Sequence, residues 1–384
     1  MKQKTHILTI IVLAQFMCTS LWFASNAVMP DLIVKLDLQS TDLGYITSSV
    51  QFGFIIGTLV YAAFTIADRF HPSNVFLISA MLGAIANLLI ALDVSFSQIL
   101  IFRFLTGFFL AGIYPVGMKI AADYFEKGLG KALGFLVGAL VLGTALPHLI
   151  ASMEVSYDWR LVLIITSVLA VVGGLLIKLF VGEGPFRSKL QVPKFRSIGL
   201  VFKNKEFRAA SFGYFGHMWE LYAFWAFVPV ILAQYRGYHV EAINIPLLSF
   251  FIIGLGGLAC VFGGYLSEYW GSKKVAAWAL GFSGICCLLS PFMFQIPLPF
   301  FIAFLIFWGL VVIADSPLFS SLVAKNVKTE LKGTALTIVT CIGFAITIVS
   351  IQLISFLVEL VSFKYVYLIL VIGPGLGVFA LFKK

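Results

Sequence analysis

Twelve apolar runs, each close to the length of a membrane-crossing helix, constrain this chain more than any other feature. They fall near residues 7–29, 44–66, 74–93, 97–122, 131–151 and 161–182, and again near 209–234, 245–267, 275–294, 299–322, 334–357 and 365–382. A helix needs about 20 apolar residues to cross the hydrocarbon core, where every backbone polar group must be satisfied without water. Strands of a membrane barrel would alternate apolar with polar residues instead of staying apolar throughout. The chain therefore reads as an all-α membrane protein of twelve transmembrane helices. Its composition, 61% hydrophobic and 11% charged over 384 residues, excludes an ordinary soluble enzyme, a disordered regulator and a nucleic-acid-binding module. The first run is too long for a signal-peptide core and no small-residue cleavage site follows it, so it counts as the first span.

Charge then sets the orientation. With both termini cytoplasmic, 20 of the 26 lysines and arginines fall on the inner side and four (Lys35, Arg160, Arg236, Lys364) on the outer side. Arg103 and Lys119 lie within the fourth span. That asymmetry is the positive-inside pattern, and it accounts for the net charge of +9 without a nucleic-acid partner. The stretch 183–208 is basic and carries two prolines, and it reads as a solvated linker against anionic head groups. It divides the chain into an amino-terminal six-helix half (1–182) and a carboxy-terminal half (209–384). Cys18, Cys260, Cys286, Cys287 and Cys341 lie in apolar runs without metal-ligand spacing, as buried free thiols would. Phosphate-binding loops, HExxH and G-x-S-x-G are absent from the sequence, so no enzyme chemistry, cofactor or metal is expected.

The halves resemble each other. Asp68 in the loop after span 2 and Glu268 in the loop after span 8 are 200 residues apart. Gly130-Lys131-Ala132-Leu133 and Gly333-Thr334-Ala335-Leu336 are 203 apart. Such parallel repeats place a solute site at the interface of the halves, near the bilayer midplane.

The second of these acidic loops carries a recognisable pattern. Gly264-Tyr265-Leu266-Ser267-Glu268-Tyr269-Trp270-Gly271-Ser272-Lys273-Lys274 closely resembles the signature between spans 2 and 3 of the major facilitator superfamily, G-x-L-x-(D/E)-x-x-G-x-(K/R)-(K/R). The first-half copy keeps Asp68 and Arg69 but lacks the glycines. Arg103-Phe104-Leu105-Thr106-Gly107 and Asp158-Trp159-Arg160 resemble two further elements of that superfamily. The resemblance covers the whole chain. It implies two pseudo-symmetric six-helix halves and a secondary transporter that works by alternating access. Asp68, Arg69, Gly264, Glu268, Gly271 and Lys273 would then act in the conformational loops. The superfamily's drug/proton antiporters place a proline after the second glycine of span 5, whereas this chain has Gly138-Ala139, with Pro147 further on. Nitrate-type members carry arginines in spans 2 and 8, and neither span has one here.

Ionisable residues inside spans are costly and mark functional positions. Glu220, near the middle of span 7, has His217 one turn earlier on the same face. An apolar setting disfavours a charged carboxylate, so the two read as a proton-coupling pair; a structural partnership for Glu220 is the alternative. Arg103 shares a face of span 4 with Gly107, Ala111 and Tyr114, and reads either as a carboxylate or proton-site partner, which would place it in solute binding, or as half of a buried ion pair. Lys119 points nearly opposite unless Pro115 kinks the helix. Lys119 and Asp315, near the inner ends of spans 4 and 10, are expected to pair across an inner gate when the transporter faces outward, although Lys119 could instead snorkel. Asp315 precedes Ser316-Pro317, where a helix break is expected. In span 1, Gln15, Thr19, Trp22 and Asn26 form a polar stripe that faces a pathway or neighbouring helices. Trp219, Tyr222 and Trp225 could stack on a solute or pack the interior, and His148 reads as an interface residue.

These readings converge on proton-coupled uptake of a small polar or anionic organic solute across a bacterial inner membrane. The partners are the solute, the proton and membrane lipid. Since one chain holds both halves, a monomer could suffice. The rival reading is a proton-driven efflux antiporter for hydrophobic or drug-like compounds.

Overall fold

The computed structural model describes residues 2–39, 41–125, 129–153, 158–187 and 198–383. All regular structure among them is helical. Eleven helices of the described residues are long and apolar enough to cross a membrane. They are span 2 (Asp42–Ala63), span 3 (Pro72–Leu89), span 4 (Phe96–Tyr124), span 5 (Gly130–Ala151), span 6 (Arg160–Phe180), span 7 (Lys205–His239), span 8 (Ile245–Trp270), span 9 (Ser272–Met293), span 10 (Leu298–Lys325), span 11 (Lys332–Leu360) and span 12 (Phe363–Phe382). The result is an all-α membrane protein built as two pseudo-symmetric six-helix halves.

Span 1 departs from the continuous helix expected over 7–29. Its apolar helix, His6–Thr19, ends at a turn over Ser20–Phe23, and the chain resumes as the short helices Ala24–Ala27 and Met29–Leu36. At roughly 1.5 Å per residue the first piece reaches about 21 Å, short of a hydrocarbon core roughly 30 Å thick, so the later pieces complete the crossing. Span 7 departs in the other direction. It begins at Lys205, inside the stretch expected to be linker, because the Asn204 side chain accepts from the amides of Glu206 and Phe207 and caps the helix there. Residues 188–197 of that linker lie outside the described residues, as do Lys127 and Lys384 of the basic inner set.

Spans 4 and 10 are each made of two segments. Span 4 breaks at Ala111–Ile113, with Pro115 at the second position of the next segment. Span 10 breaks at Asp315, with Pro317 in the same place. A proline lacks the amide that a helix interior needs, so it is accommodated at the start of a new segment. The bend in span 4 therefore precedes Pro115.

Glycines set the closest helix contacts. A methyl group at Gly107 would overlap the Val50 carbonyl of span 2, and one at Gly309 would overlap the Ile252 carbonyl of span 8. The halves meet along spans 2 and 11 and along spans 5 and 8. In the first contact Gln352 Nε2 donates to Ser48 Oγ at 2.8 Å. In the second, a methyl at Gly138 would stand 3.1 Å from the Gly257 carbonyl, and the reverse distance is 3.0 Å. At the end away from the termini, Asp93 Oδ1 binds Lys35 Nζ at 2.6 Å and Arg160 at 3.3 Å, tying three connections of the first half together.

Candidate functional site

Between the halves, aromatic rings from both sides meet at mid-depth. Trp22, at the turn in span 1, stacks on Tyr222 of span 7 at 5.8 Å and on Phe344 of span 11 at 5.7 Å. Phe54 of span 2 joins at 4.9 Å from Trp22 and 4.6 Å from Phe344. Trp225 lies edge-on to Tyr222 at 5.3 Å and to Phe23 at 6.4 Å. All six rings are buried, and the indole N–H groups of Trp22 and Trp225 have no hydrogen-bond partner. On the side away from the termini a cavity of about 860 Å³ opens between the halves. Most of its wall is apolar, from residues such as Ile33, Leu43, Phe227, Val230 and Val358. Its polar groups include Asn26, His148, Asn244 and Arg236. Asn26 Nδ2 donates to Thr47 Oγ1 at 2.7 Å while its Oδ1 stays unpartnered, as does Nε2 of the buried His148.

A second polar centre lies inside the carboxy-terminal half. Glu220 is buried, and one of its oxygens, Oε1, accepts three hydrogen bonds. Ser283 Oγ donates one, Cys287 Sγ another at 3.2 Å, and Trp308 Nε1 the third at 2.6 Å. The other oxygen, Oε2, has no partner. Donors on one oxygen steady a carboxylate, and the free oxygen can take up a proton. His217 sits one turn away but does not touch this cage. Its Nδ1 lies 2.8 Å from Asp315 Oδ1 of span 10, both side chains being buried. The two atoms are close without the alignment of a hydrogen bond, and His217 Nε2 and Asp315 Oδ2 are likewise unpartnered. The expected Glu220–His217 pair is thus two pairs: span 7 presents both residues to span 10, Glu220 opposite Trp308 and His217 opposite Asp315.

Arg103 touches no carboxylate. Its guanidinium donates to the Leu21 carbonyl at 3.0 Å and to the Trp22 carbonyl, which are acceptors freed by the turn in span 1. Only its Nε is without a partner. Tyr114 opens the second segment of span 4, directly after the break and before Pro115. In the stripe of span 1, Gln15 and Thr19 pack against Gly117 and Gly143 of spans 4 and 5. Thr19 donates to the Gln15 carbonyl at 2.8 Å, and the Gln15 amide is buried without a partner.

The Lys119–Asp315 gate is not formed. Lys119 Nζ binds Asp68 Oδ1 at 2.6 Å, because the bend in span 4 carries the lysine toward the turn after span 2. Asp315 is taken by His217 instead. Within the same turn Arg69 Nε donates to Thr65 Oγ1 at 3.1 Å. In the second-half loop, Gly271 holds φ +81, a left-handed conformation that favours glycine, and lets span 9 start directly after span 8. Lys273 reaches Glu206 at the head of span 7, 3.2 Å away, while Gly264 and Glu268 lie on the last turns of span 8.

Ser283, Trp308, Phe54 and Phe344 were not singled out from the sequence, and Cys287 was read there only as a buried thiol. Trp308 carried a usable signal, since an indole N–H within a span must find an acceptor inside the protein.

Comparison with known proteins bears on the whole chain. A family model described as Major Facilitator Superfamily matches residues 11–210 and 210–384. The hexuronate transporter of Bacillus subtilis (strain 168) is 25% identical over 270 residues, which is 66% of this chain and 63% of that protein. The chain thus matches less than two thirds of that relative's length. A probable sulfoacetate transporter of Cupriavidus necator is 22% identical over 331 residues, 77% of this chain and 74% of the relative. The crystal structure of the nucleoside transporter NupG superposes with a TM-score of 0.75 at 16% identity, covering 99% of this chain and 100% of that one, which is a likeness of fold.

Proposed function

The chain belongs to the Major Facilitator Superfamily, and from that premise we propose that it is a proton-coupled carrier that takes up a small polar or anionic organic solute by alternating access. The observation that carries the reading is Glu220, a membrane-buried carboxyl with three donors on one oxygen and none on the other. In this reading Glu220 and the neighbouring His217–Asp315 pair load and release the proton, and the packing of spans 7 and 10 changes with their protonation. The solute enters the cavity lined by Asn26, His148 and Arg236, and in this reading passes on to the buried rings of Trp22, Tyr222 and Trp225 between the halves. Gln15, Asn26 and the Trp22 and Trp225 indoles supply unmatched hydrogen-bonding groups along that path. Tyr114 belongs to the same path, and Arg103 shapes it by holding the turn that carries Trp22. Lys119 with Asp68 and Asp315 with His217 form two separate inner locks in place of one gate, and Arg69, Gly264, Glu268, Gly271 and Lys273 belong to the turns that move with them. Hexuronate and sulfoacetate, named for two relatives, are organic anions, which favours that solute class. The distribution of lysine and arginine supports a bacterial inner membrane location with both termini in the cytoplasm.

The predominantly apolar wall of the cavity favours a second reading, efflux of hydrophobic compounds driven by inward protons. Transport currents of proteoliposomes on a solid-supported membrane separate the two. Uptake coupling predicts a pH-dependent current with an organic acid that disappears in Glu220→Gln. A current elicited only by hydrophobic cations would select efflux. An organic-acid current of equal size and pH dependence in Glu220→Gln would remove Glu220 from the coupling step.

A further inference from the structure

The two halves differ at one place on the termini side. Their registers are fixed by matched features: Gly107 and Gly309, Val50 and Ile252, and Pro115 and Pro317 are each 202 residues apart. Both glycines approach the paired carbonyl, and both prolines open the second segment of their span. In the first half, the turn between spans 2 and 3 is tied to span 4 by the Asp68–Lys119 ion pair at 2.6 Å. The same register carries Lys119 onto Ser321, and Asp68 onto the Glu268–Trp270 end of span 8. No ion pair bridges these positions among the described residues. Instead Trp270 and Ser321 border a cavity of about 480 Å³, whose wall also includes Lys273, Lys274, Lys325 and Phe382.

Three cations thus border this space, and Ser321 stands where Lys119 pairs with Asp68 in the other half. Glu206 is bound to Lys273 at 3.2 Å and Glu268 lies on the last turn of span 8, so three lysines stand against two acids and a positive excess remains. Lys274 and Lys325 are exposed. Span 9 also starts here behind Gly271 without a side-chain cap, and Val275 donates to the Gly271 carbonyl at 3.3 Å, the amides before it having no acceptor within the helix. Trp270 and Phe382, 52% and 61% exposed, stand at the ends of membrane-crossing helices, where an acyl chain would lie beside them.

We propose that this cavity binds the phosphate headgroup of an anionic membrane phospholipid, with Lys273, Lys274 and Lys325 around the phosphate and Trp270 and Phe382 along the chains. The lipid ties the turn between spans 8 and 9 to the end of span 10. A soluble phosphate compound would satisfy the lysines but leave the exposed parts of Trp270 and Phe382 uncovered.

Native mass spectrometry of the full chain in detergent, titrated with phosphatidylglycerol, tests this. Wild type is expected to retain one phosphatidylglycerol in preference to phosphatidylcholine. Lys274→Ala/Lys325→Ala should weaken that retention about 30-fold, since each lysine near an anionic headgroup contributes roughly a factor of five. Lys274→Arg/Lys325→Arg should keep it, and so should Lys328→Ala/Lys332→Ala, which removes the same charge from the neighbouring loop. Equal retention in the first double variant, or equal retention of phosphatidylcholine, overturns the proposal. Displacement of the lipid by inorganic phosphate at matched concentration also overturns it, by assigning the site to a soluble ligand.

Discussion

Arg103 shows how a single buried cation can serve the backbone. The turn at Ser20–Phe23 frees carbonyls at a depth where water cannot reach them, and the guanidinium supplies donors to Leu21 and Trp22. A buried acceptor left unmatched costs about 1–3 kcal/mol, so Arg103→Met is expected to lower stability by about 2–4 kcal/mol. Arg103→Lys, which can reach one carbonyl, should lose roughly half as much. Melting in detergent and KM for the solute check this together: unchanged melting with a raised KM would make Arg103 a solute ligand instead. From the sequence, Arg103 and Glu220 stood out because ionisable residues are rare in spans. Their partners did not, because which carbonyl, thiol or indole faces a charge depends on the rotation of neighbouring helices, and hydropathy carries no rotation. His217 and Glu220 share a face of span 7 as their spacing implied, yet span 10 meets them at two levels seven residues apart, Trp308 and Asp315.

At the scale of the helix, the apolar runs were readable because lipid permits no other regular solution at that length, and the break at Asp315 was readable from Pro317. The break in span 1 was not, since Ser20-Leu21-Trp22-Phe23 contains neither proline nor glycine and the cause is a contact with span 4. Glycine contacts are equally tertiary. Gly107→Leu would drive a side chain into the Val50 carbonyl, and overpacking costs typically about 1–3 kcal/mol. Gly134 has nothing within 4 Å of an added methyl, so Gly134→Ala should leave melting unchanged or raise it slightly. If both variants melt alike, the close contact of spans 2 and 4 is not a packing constraint. The loop cluster at the far end adds a pH effect. The Lys35 ammonium, with help from Arg160, holds the exposed Asp93 carboxyl below its usual range. A group lowered in this way contributes stability above the ordinary carboxylate pKa, and loses it as pH falls through the depressed value. Asp93→Asn should therefore melt slightly below wild type at neutral pH, with the two curves merging in strong acid; salt should shrink the gap. A gap that persists into strong acid would rule out the ion pair as its origin.

The whole molecule is held together by contacts that must separate if the halves rock. Gln352 and Ser48 meet at 2.8 Å where spans 11 and 2 join the halves. A Ser48→Cys/Gln352→Cys pair joined by a short thiol reagent is expected to stop transport, with activity returning after a cleavable linker is reduced. The five native thiols are buried and offer a quiet background. Continued transport by the cross-linked protein would place the moving contact elsewhere, at spans 5 and 8. The repeat was visible in sequence through its loops, but the pairing of faces was not, because both halves present apolar residues on every side. The turn in span 1 finally bears on how such a chain is made. A nascent polypeptide delivers its amino end to the insertion machinery first, and at that moment the bare carbonyls of Leu21 and Trp22 have no donor. The residue that caps them, Arg103, is synthesised three helices later. The first helix can settle only after the fourth has emerged, so ribosome-bound chains halted before residue 103 should hold span 1 in a protease-accessible, unfinished state that longer chains no longer show.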